Sequence, residues 1–232
     1  MVAVVTIKPL LLVLMKRDMR GKERIPATGG ALVCVNHISY ADPLATALFV
    51  YDSGRIPRFL AKSSLFSLPL AGRVLSGARQ IPVYRDSKNA ARAFSGAVEA
   101  VRAGECVCVY PESTLTRDPD MWPMQGKTGA ARIALSTGAP VIPVAQWGAH
   151  ELLPPYAKKP RLFPRATLRF RAGPPVDLSD LRERELTAEV LREATERIMT
   201  AITALLAELR PGEQPPARRL DPRTARGEKE SA

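Results

Sequence analysis

The chain has 232 residues, of which 46% are hydrophobic and 25% are charged, and this composition suits one globular domain with a substantial core. Its formal net charge of +11 favours anionic partners such as phosphates, acidic carrier proteins or anionic lipid headgroups. The sequence has no basic run interleaved with aromatic residues and no known nucleic-acid motif, so we expect no nucleic-acid partner.

The three cysteines of the chain are Cys34, Cys106 and Cys108, and each lies in an apolar, strand-like run. No second pair of ligands stands at metal-binding spacing from them. We therefore predict reduced thiols in the core of a cytosolic protein, and no metal site.

Residues 1–15 are apolar apart from Thr6 and Lys8, and Pro9 interrupts them. A membrane-spanning helix needs ~20 apolar residues, so this segment is too short to cross a bilayer, and it does not have the pattern of a secretory signal. A basic cluster follows it directly and consists of Lys16, Arg17, Arg20, Lys22 and Arg24. We predict that residues 1–18 associate with a membrane as an interfacial helix. The alternative is that they form a first helix that is buried against the domain.

Beyond this segment, apolar runs rich in β-branched residues alternate with amphipathic stretches. These patterns predict strands at 31–35, 58–62, 80–84, 107–110, 141–147 and 166–171, and helices at 43–51, 63–70, 87–104, 126–137 and 187–210. Such alternation is typical of an α/β fold, a single domain with a largely parallel central sheet flanked by helices, which we place at residues 19–210. Residues 211–232 are charged, rich in proline and short of hydrophobic residues, so we predict a disordered tail.

The strand at 31–35 leads into a polar turn that carries His37, one of only two histidines, and ends at Asp42 and Pro43. Asp followed by Pro predicts a helix start at which the carboxylate accepts the first free amides. A histidine that removes a proton from a hydroxyl needs a carboxylate to fix its tautomer and stabilise the imidazolium, and Asp42 is close enough in sequence to serve. The alternative is a solvated loop histidine beside an ordinary helix cap. The second histidine, His150, we interpret as structural.

The motif formed by Asn36, His37 and Asp42 resembles the NHxxxxD signature of the glycerolipid acyltransferases, the family that includes the 1-acylglycerol-3-phosphate acyltransferases. Three further blocks follow in that family's order. Residues 80–85 resemble the block that ends in a phosphate-binding arginine, and residues 141–144 resemble the apolar strand that comes last.

The third block, at residues 109–116, resembles the family's F-P-E-G-T-R-S. The chain keeps its proline, glutamate and threonine, the last two at Glu112 and Thr114. It replaces the glycine with Ser113 and the arginine with Leu115. Since that arginine helps to hold phosphate in the family, the replacement concerns the acceptor more than the reaction.

The resemblance implies that His37 is the general base and that Asp42 orients its imidazole. Arg85 would bind the phosphate of the acceptor, with Lys62 and Lys127 as weaker candidates, because an arginine donates two parallel hydrogen bonds to phosphate oxygens. Glu112, with Ser113 and Thr114 of the same block, would shape the acceptor pocket. These roles require neither a metal nor a cofactor.

The family implies an enzyme that moves a fatty acyl group from acyl-CoA or acyl carrier protein to the hydroxyl of lysophosphatidic acid, giving phosphatidic acid in phospholipid biosynthesis. Its expected partners are that thioester donor, a lysophospholipid acceptor and the phospholipid membrane. We expect it to be peripheral or monotopic on the cytoplasmic face of the cell membrane. Two alternatives stay open: the same chemistry on another acceptor, such as glycerol 3-phosphate, a glycolipid or another alcohol, and a non-catalytic protein that binds anionic membranes.

Overall fold

A seven-stranded sheet forms the centre of the protein, in a computed structural model that describes Pro9 and residues 13–83, 90–157 and 159–222. The strands follow one another across the sheet in the order β1-β7-β6-β2-β5-β3-β4, and every neighbouring pair is parallel except β6 with β7. The strands are β1 (Met15–Arg20), β2 (Ala31–Val35), β3 (Pro57–Lys62), β4 (Ile81–Val83), β5 (Cys106–Val109), β6 (Val141–Trp147) and β7 (Ala166–Ala172).

Helices connect these strands and cover both faces of the sheet. They are α1 (Asp42–Tyr51), α2 (Pro69–Gly77), α3 (Ala90–Arg102), α4 (Gly129–Thr137), α5 (Ala149–Leu152), α6 (Ser179–Arg182) and α7 (Ala188–Leu209), with short 3-10 turns at Lys22–Arg24 and Ser63–Leu65. The predicted α/β architecture with a largely parallel sheet is confirmed. Within the described residues, none of the helices has both the length and the apolar character needed to span a bilayer.

The central strand β2 is buried on both faces, which explains its uninterrupted apolar sequence. Leu32 and Cys34 contact the layer formed by α3, α4 and α7. Val33 and Val35 point to the opposite layer, where they pack with α1 and with β7. All three cysteines are free and buried, as predicted. The carboxyl end of β2 is therefore fixed from both sides of the sheet.

The ends of the predicted domain differ from the structure. The boundary after residue 18 falls inside β1, an edge strand that pairs in parallel with β7, so the basic cluster starts within the sheet. Most of the predicted interfacial helix lies outside the described residues, although Pro9 and residues 13–14 are helical. Helix α2 begins at Pro69 and not at residue 63, since a 3-10 turn intervenes.

The described part of the predicted tail also contacts the domain. The Gln125 amide donates to the Leu220 carbonyl, and Arg117 donates to the carbonyl of Pro222. Arg219 pairs with Glu196 on α7. Residues 211–222 are thus held by backbone and ionic contacts that composition does not reveal, and residues 223–232 lie outside the described part of the chain.

The strands β2, β3, β4, β5 and β6 end at one edge of the sheet, because they all run in the same direction. The turn with His37 follows β2 at this edge, and the loop with Glu112 follows β5 beside it. Open α/β sheets bind ligands at the carboxyl ends of their strands. This edge, the carboxyl edge, holds the candidate site.

Candidate active site

The turn that carries His37 is fixed to the neighbouring strand by a pair of buried amides. The Asn36 side chain accepts a hydrogen bond from the Gln146 amide (2.8 Å) and donates to its carbonyl (3.1 Å). The Gln146 side chain donates in turn to the Asn36 carbonyl (3.3 Å). These three bonds continue the contact of β2 with β6 past the end of the ladder, so the chain leaves the sheet at a defined point.

His37 and Asp42 form the predicted pair, with 2.8 Å between the histidine Nδ1 and the carboxylate Oδ2. The Asp42 side chain is completely buried, whereas 16% of the His37 side chain is exposed. An ionised carboxylate only accepts, so Nδ1 carries the hydrogen and the neutral ring has its lone pair on Nε2. Nε2 is therefore the ring nitrogen that is available to accept a proton from a substrate.

Asp42 does not cap helix α1, contrary to our expectation. The helix begins at Asp42 itself, and the capping position, Ala41, makes no side-chain cap. The carboxylate faces back into the preceding turn, where Oδ2 accepts the amides of Ile38 (2.6 Å) and Ser39 (2.8 Å) as well as the His37 ring. One oxygen thus fixes both the turn and the imidazole.

Residues of the third block contact both the backbone and the ring of His37. The His37 amide donates to Oε1 of Glu112 (3.0 Å), and the His37 carbonyl accepts from the Thr116 amide (2.7 Å). The Tyr110 ring stacks on the imidazole with 4.2 Å between centroids and donates its hydroxyl hydrogen to Thr46 on α1. Both the backbone and the ring of His37 are therefore positioned by residues at the end of β5.

Glu112, which we predicted to shape the acceptor pocket, bonds through both of its carboxylate oxygens to backbone amides. Its side chain is completely buried, and its second oxygen accepts the Met124 amide (2.9 Å). Burial raises the pKa of Glu112 to about 8, against the two amide bonds, which lower it. Glu112 joins the His37 turn to the loop that precedes α4, which makes it a positioning residue for the histidine.

The other predicted binding residues are spread along the carboxyl edge. Ser113 is exposed and has a left-handed backbone (φ 61°), and Thr114 is half-buried. Lys62 is exposed at the end of β3, and Lys127 is exposed just before α4. Arg85 lies outside the described residues.

The leucine that replaces the family's arginine is buried in the domain, since only 3% of Leu115 is exposed. Its side chain presents no charge to the edge. Of the nearby cations, Arg117 donates to the Pro222 carbonyl (3.2 Å). The described part of the third block therefore holds His37 in place and supplies no arginine for a phosphate.

Sequence reasoning missed the supporting contacts of the site. Asn36 and Gln146 are 110 residues apart, and nothing in their local sequence pairs them. A second missed feature is Arg210, whose guanidinium carbon lies 4.1 Å from the Trp122 ring and 4.4 Å from the Trp147 ring. The rarity of tryptophan, with two in the chain, was the available signal.

A sequence model of the acyltransferase family matches residues 16–147, more than half of the chain. The chain belongs to the acyltransferase family. The matched region of this acyltransferase contains the His37–Asp42 pair and the Glu112 loop, and it ends with β6.

Two curated relatives are named for the same activity. A 1-acyl-sn-glycerol-3-phosphate acyltransferase of Borreliella burgdorferi is 33% identical over 131 residues, which are 56% of this chain and 50% of that protein. A chloroplastic one of Brassica napus is 31% identical over 141 residues, or 60% of this chain and 39% of that protein. The chain spans half or less of the length of these relatives.

A solved structure has the same fold as this acyltransferase. The 1-acyl-sn-glycerophosphate acyltransferase PlsC of Thermotoga maritima superposes with a TM-score of 0.68 and 23% identity, over 90% of this chain and 78% of that chain. The superposed share of the chain, 90%, is larger than the region that the family model matches, residues 16–147.

Proposed function

We propose that the protein transfers a fatty acyl group from acyl-CoA or acyl carrier protein to the hydroxyl of lysophosphatidic acid, on the cytoplasmic face of a membrane. The observation that carries this proposal is the 2.8 Å contact between His37 and a fully buried Asp42 in a member of the acyltransferase family. The activity for which both relatives are named supports the choice of acceptor.

The pair can perform the transfer with one proton relay. Nε2 of His37 takes the proton of the acceptor hydroxyl as its oxygen attacks the thioester carbonyl, and Asp42 stabilises the imidazolium that forms. The tetrahedral intermediate then expels the thiolate, which takes that proton back from His37, so the products are an ester and a free thiol. The thioester is already activated, so positioning and this relay supply most of the rate.

Arg85 is our proposed ligand for the acceptor phosphate. In the sequence it comes two residues after Val83, the last residue of β4, and that strand ends at the carboxyl edge. Lys62 of β3 is the partner of Val83 in the ladder, so this exposed cation ends next to the same point. Replacing Arg85 with Gln is expected to raise KM for a phosphate-bearing acceptor more than it lowers kcat.

One observation favours a second class of acceptor. The family's third block has an arginine where this chain has Leu115, and because Leu115 is buried and uncharged, this position offers no cation to a phosphate. Glycerol 3-phosphate, a glycolipid or another alcohol would then take the acyl group through the same His37 chemistry. The Arg85→Gln variant separates the acceptors that carry a phosphate, lysophosphatidic acid and glycerol 3-phosphate, from a glycolipid or another alcohol, because an acceptor without phosphate is insensitive to it. The mass of the ester product separates the two phosphate-bearing acceptors.

The test is a transfer assay with oleoyl-CoA and oleoyl carrier protein as donors, on vesicles that contain each acceptor in turn. Thiol release and the mass of the ester product are measured together, with His37→Ala as the background. We expect phosphatidic acid to form above that background. Ester formation only with another acceptor selects the second class, and no ester with any pair selects the non-catalytic, membrane-binding alternative.

A further inference from the structure

Exposed apolar side chains flank His37 on both sides along the carboxyl edge. On the side of β3 and β4, the 3-10 turn and α2 expose Leu65, Leu68, Leu70 and Val74, with Leu70 78% exposed. On the side of β6 and β7, the connecting loop exposes Tyr156, Leu162 and Phe163, with Phe163 85% exposed. We call these seven residues the apolar rim.

Helix α2 has the sequence of a packed helix but is hardly packed in the described structure. Among its nine residues only Gly72 is buried. A Cβ at Gly72 would lie 2.1 Å from the Phe66 carbonyl oxygen, so the helix is seated on the preceding turn through its one small buried position. Leu70 and Val74 of this helix are exposed, and Leu75 is half-buried. Clusters of exposed apolar side chains mark interaction sites.

The loop on the other side is tied directly to the turn of the catalytic histidine. Ser39 donates its hydroxyl hydrogen to the Leu153 carbonyl (2.6 Å). The Tyr156 ring packs edge-on against Tyr40, with 6.4 Å between centroids. Since His37 precedes these residues in the same turn, the apolar rim and the candidate active site belong to one surface.

The two segments that carry the apolar rim are basic. Residues 59–78 contain two basic residues and no acidic residue, and residues 152–165 contain four basic residues and no acidic residue. Exposed cations accompany both sides of the rim, namely Lys62 and Arg73 on one side and Lys159, Arg161 and Arg165 on the other. The carboxylate next to the second side, Glu151, lies 3.8 Å from Arg169.

We propose that the apolar rim is the surface with which the protein docks onto an anionic lipid bilayer, so that His37 faces the membrane. Apolar side chains with cations beside them match a bilayer whose headgroups are negative and whose interior is apolar. A second copy of the chain would bring like charges together. The inference rests on the proposed transfer to a lipid acceptor and adds the surface through which that lipid reaches the site.

The experiment is vesicle sedimentation with the full chain, on phosphatidylcholine vesicles with and without phosphatidylglycerol. Two paired variants, Leu70→Ser with Val74→Ser and Leu162→Ser with Phe163→Ser, remove one side of the rim each. Ile56→Ser is the matched control, since Ile56 is exposed just before β3, at the opposite edge of the sheet. Equal unfolding midpoints for all variants show that the fold is retained.

We expect each paired variant to lower the partition coefficient about tenfold or more, because two large apolar side chains leave the bilayer, whereas Ile56→Ser binds as the wild type does. Lys159→Glu with Arg161→Glu is expected to lower binding to the anionic vesicles only. His37→Ala is expected to bind like the wild type, which keeps docking separate from a failure of catalysis.

Three results would overturn the proposal. The first is that both paired variants bind vesicles as the wild type does, or no more weakly than Ile56→Ser. The second is a wild-type dimer that the paired variants convert to a monomer in sedimentation velocity, with vesicle binding unchanged, which makes the rim a contact between copies. The third is loss of affinity for acyl carrier protein with vesicle binding intact, which makes the rim a carrier site.

Discussion

Ser113 lies in a backbone conformation that favours glycine, at the position where the resembled motif has glycine. Its φ of 61° is left-handed, a region that costs a residue with a Cβ roughly 1–2 kcal/mol. The side chain is exposed and its hydroxyl is 3.5 Å from the Pro111 carbonyl, so little is lost when it is removed.

We therefore predict that Ser113→Gly raises the free energy of unfolding by roughly 1 kcal/mol. Ser76→Gly is the control, because Ser76 is an exposed residue of helix α2 and glycine weakens a helix. Urea unfolding measures both variants. A Ser113→Gly protein that is no more stable than the wild type would contradict the role of backbone strain.

Glu112 gives the protein a pH-dependent stability with a defined sign. The folded pKa of about 8 is above the ordinary value of 4.5, so between these values the folded state holds a proton that the unfolded state has released. Stability is therefore lost as the pH rises through this window. The expected slope is about 1.4 kcal/mol per pH unit where the difference is one full proton.

Glu112→Gln removes this titration while keeping the shape of the side chain. We predict that the unfolding free energy of the wild type, minus that of Glu112→Gln, falls as the pH is raised from 5 to about 8. Urea unfolding of both proteins across the pH series measures this difference, in which the other groups cancel. A difference that stays constant, or grows with pH, would show that Glu112 is ionised throughout.

At the scale of residues, the sequence predicted the contact between His37 and Asp42 but not the residues that surround it. His37 and Asp42 are close in sequence and chemically distinctive, so the motif identified both. The role of Glu112 depends on its contacts with the amides of His37 and Met124, which are set by the packing of the loop after β5 against β2. Local sequence contains no signal for such contacts.

The end of helix α7 connects two elements of the site through Arg210. Its guanidinium lies between Trp122, in the loop that follows Glu112, and Trp147, the last residue of β6. Arg210 is 5% exposed and also pairs with Glu213. Cation–π contacts that are shielded from water are worth up to about 2 kcal/mol each.

We predict that Arg210→Ala lowers the free energy of unfolding by roughly 2 kcal/mol or more, because it removes both contacts and leaves a cavity. Arg210→Lys keeps the charge but not the planar group, so it recovers only part of this loss. Arg192→Ala, on the exposed side of the same helix, is the control and is expected to change stability little. An Arg210→Ala protein that is as stable as Arg192→Ala would contradict a stabilising role for the two contacts of Arg210 with Trp122 and Trp147.

Strands and helices were predictable where the pattern of apolar residues fits only one type of secondary structure. The predicted strands at β2 and β6 match the structure at both ends, since strands that are buried on both faces of a sheet give largely apolar runs. Strand β1 was not predicted, because its sequence MKRDMR is polar and only its edge position in the sheet permits that. Residues 211–222 were assigned to a tail because their contacts are backbone and ionic, which apolar periodicity does not detect.

At the scale of the whole molecule, the fold places the pair of His37 and Asp42 at an edge of the sheet that is basic and partly apolar. The strand order places His37 between the two sides of the apolar rim, although these are about 90 residues apart in the chain. The fold class and the position of the site followed from the alternation of strands and helices. The rim did not, because exposure is a property of the assembled surface.

The most direct test of the account is the rate of acyl transfer to the preferred acceptor by the wild type, His37→Ala and His150→Ala. The chain has no other histidine, and the His150 ring packs against Trp147 with 4.3 Å between centroids. We predict that kcat falls by about 10²–10⁴-fold in His37→Ala, while His150→Ala stays close to the wild type. A folded His37→Ala protein that transfers acyl groups at the wild-type rate would contradict the assignment of His37 as the base.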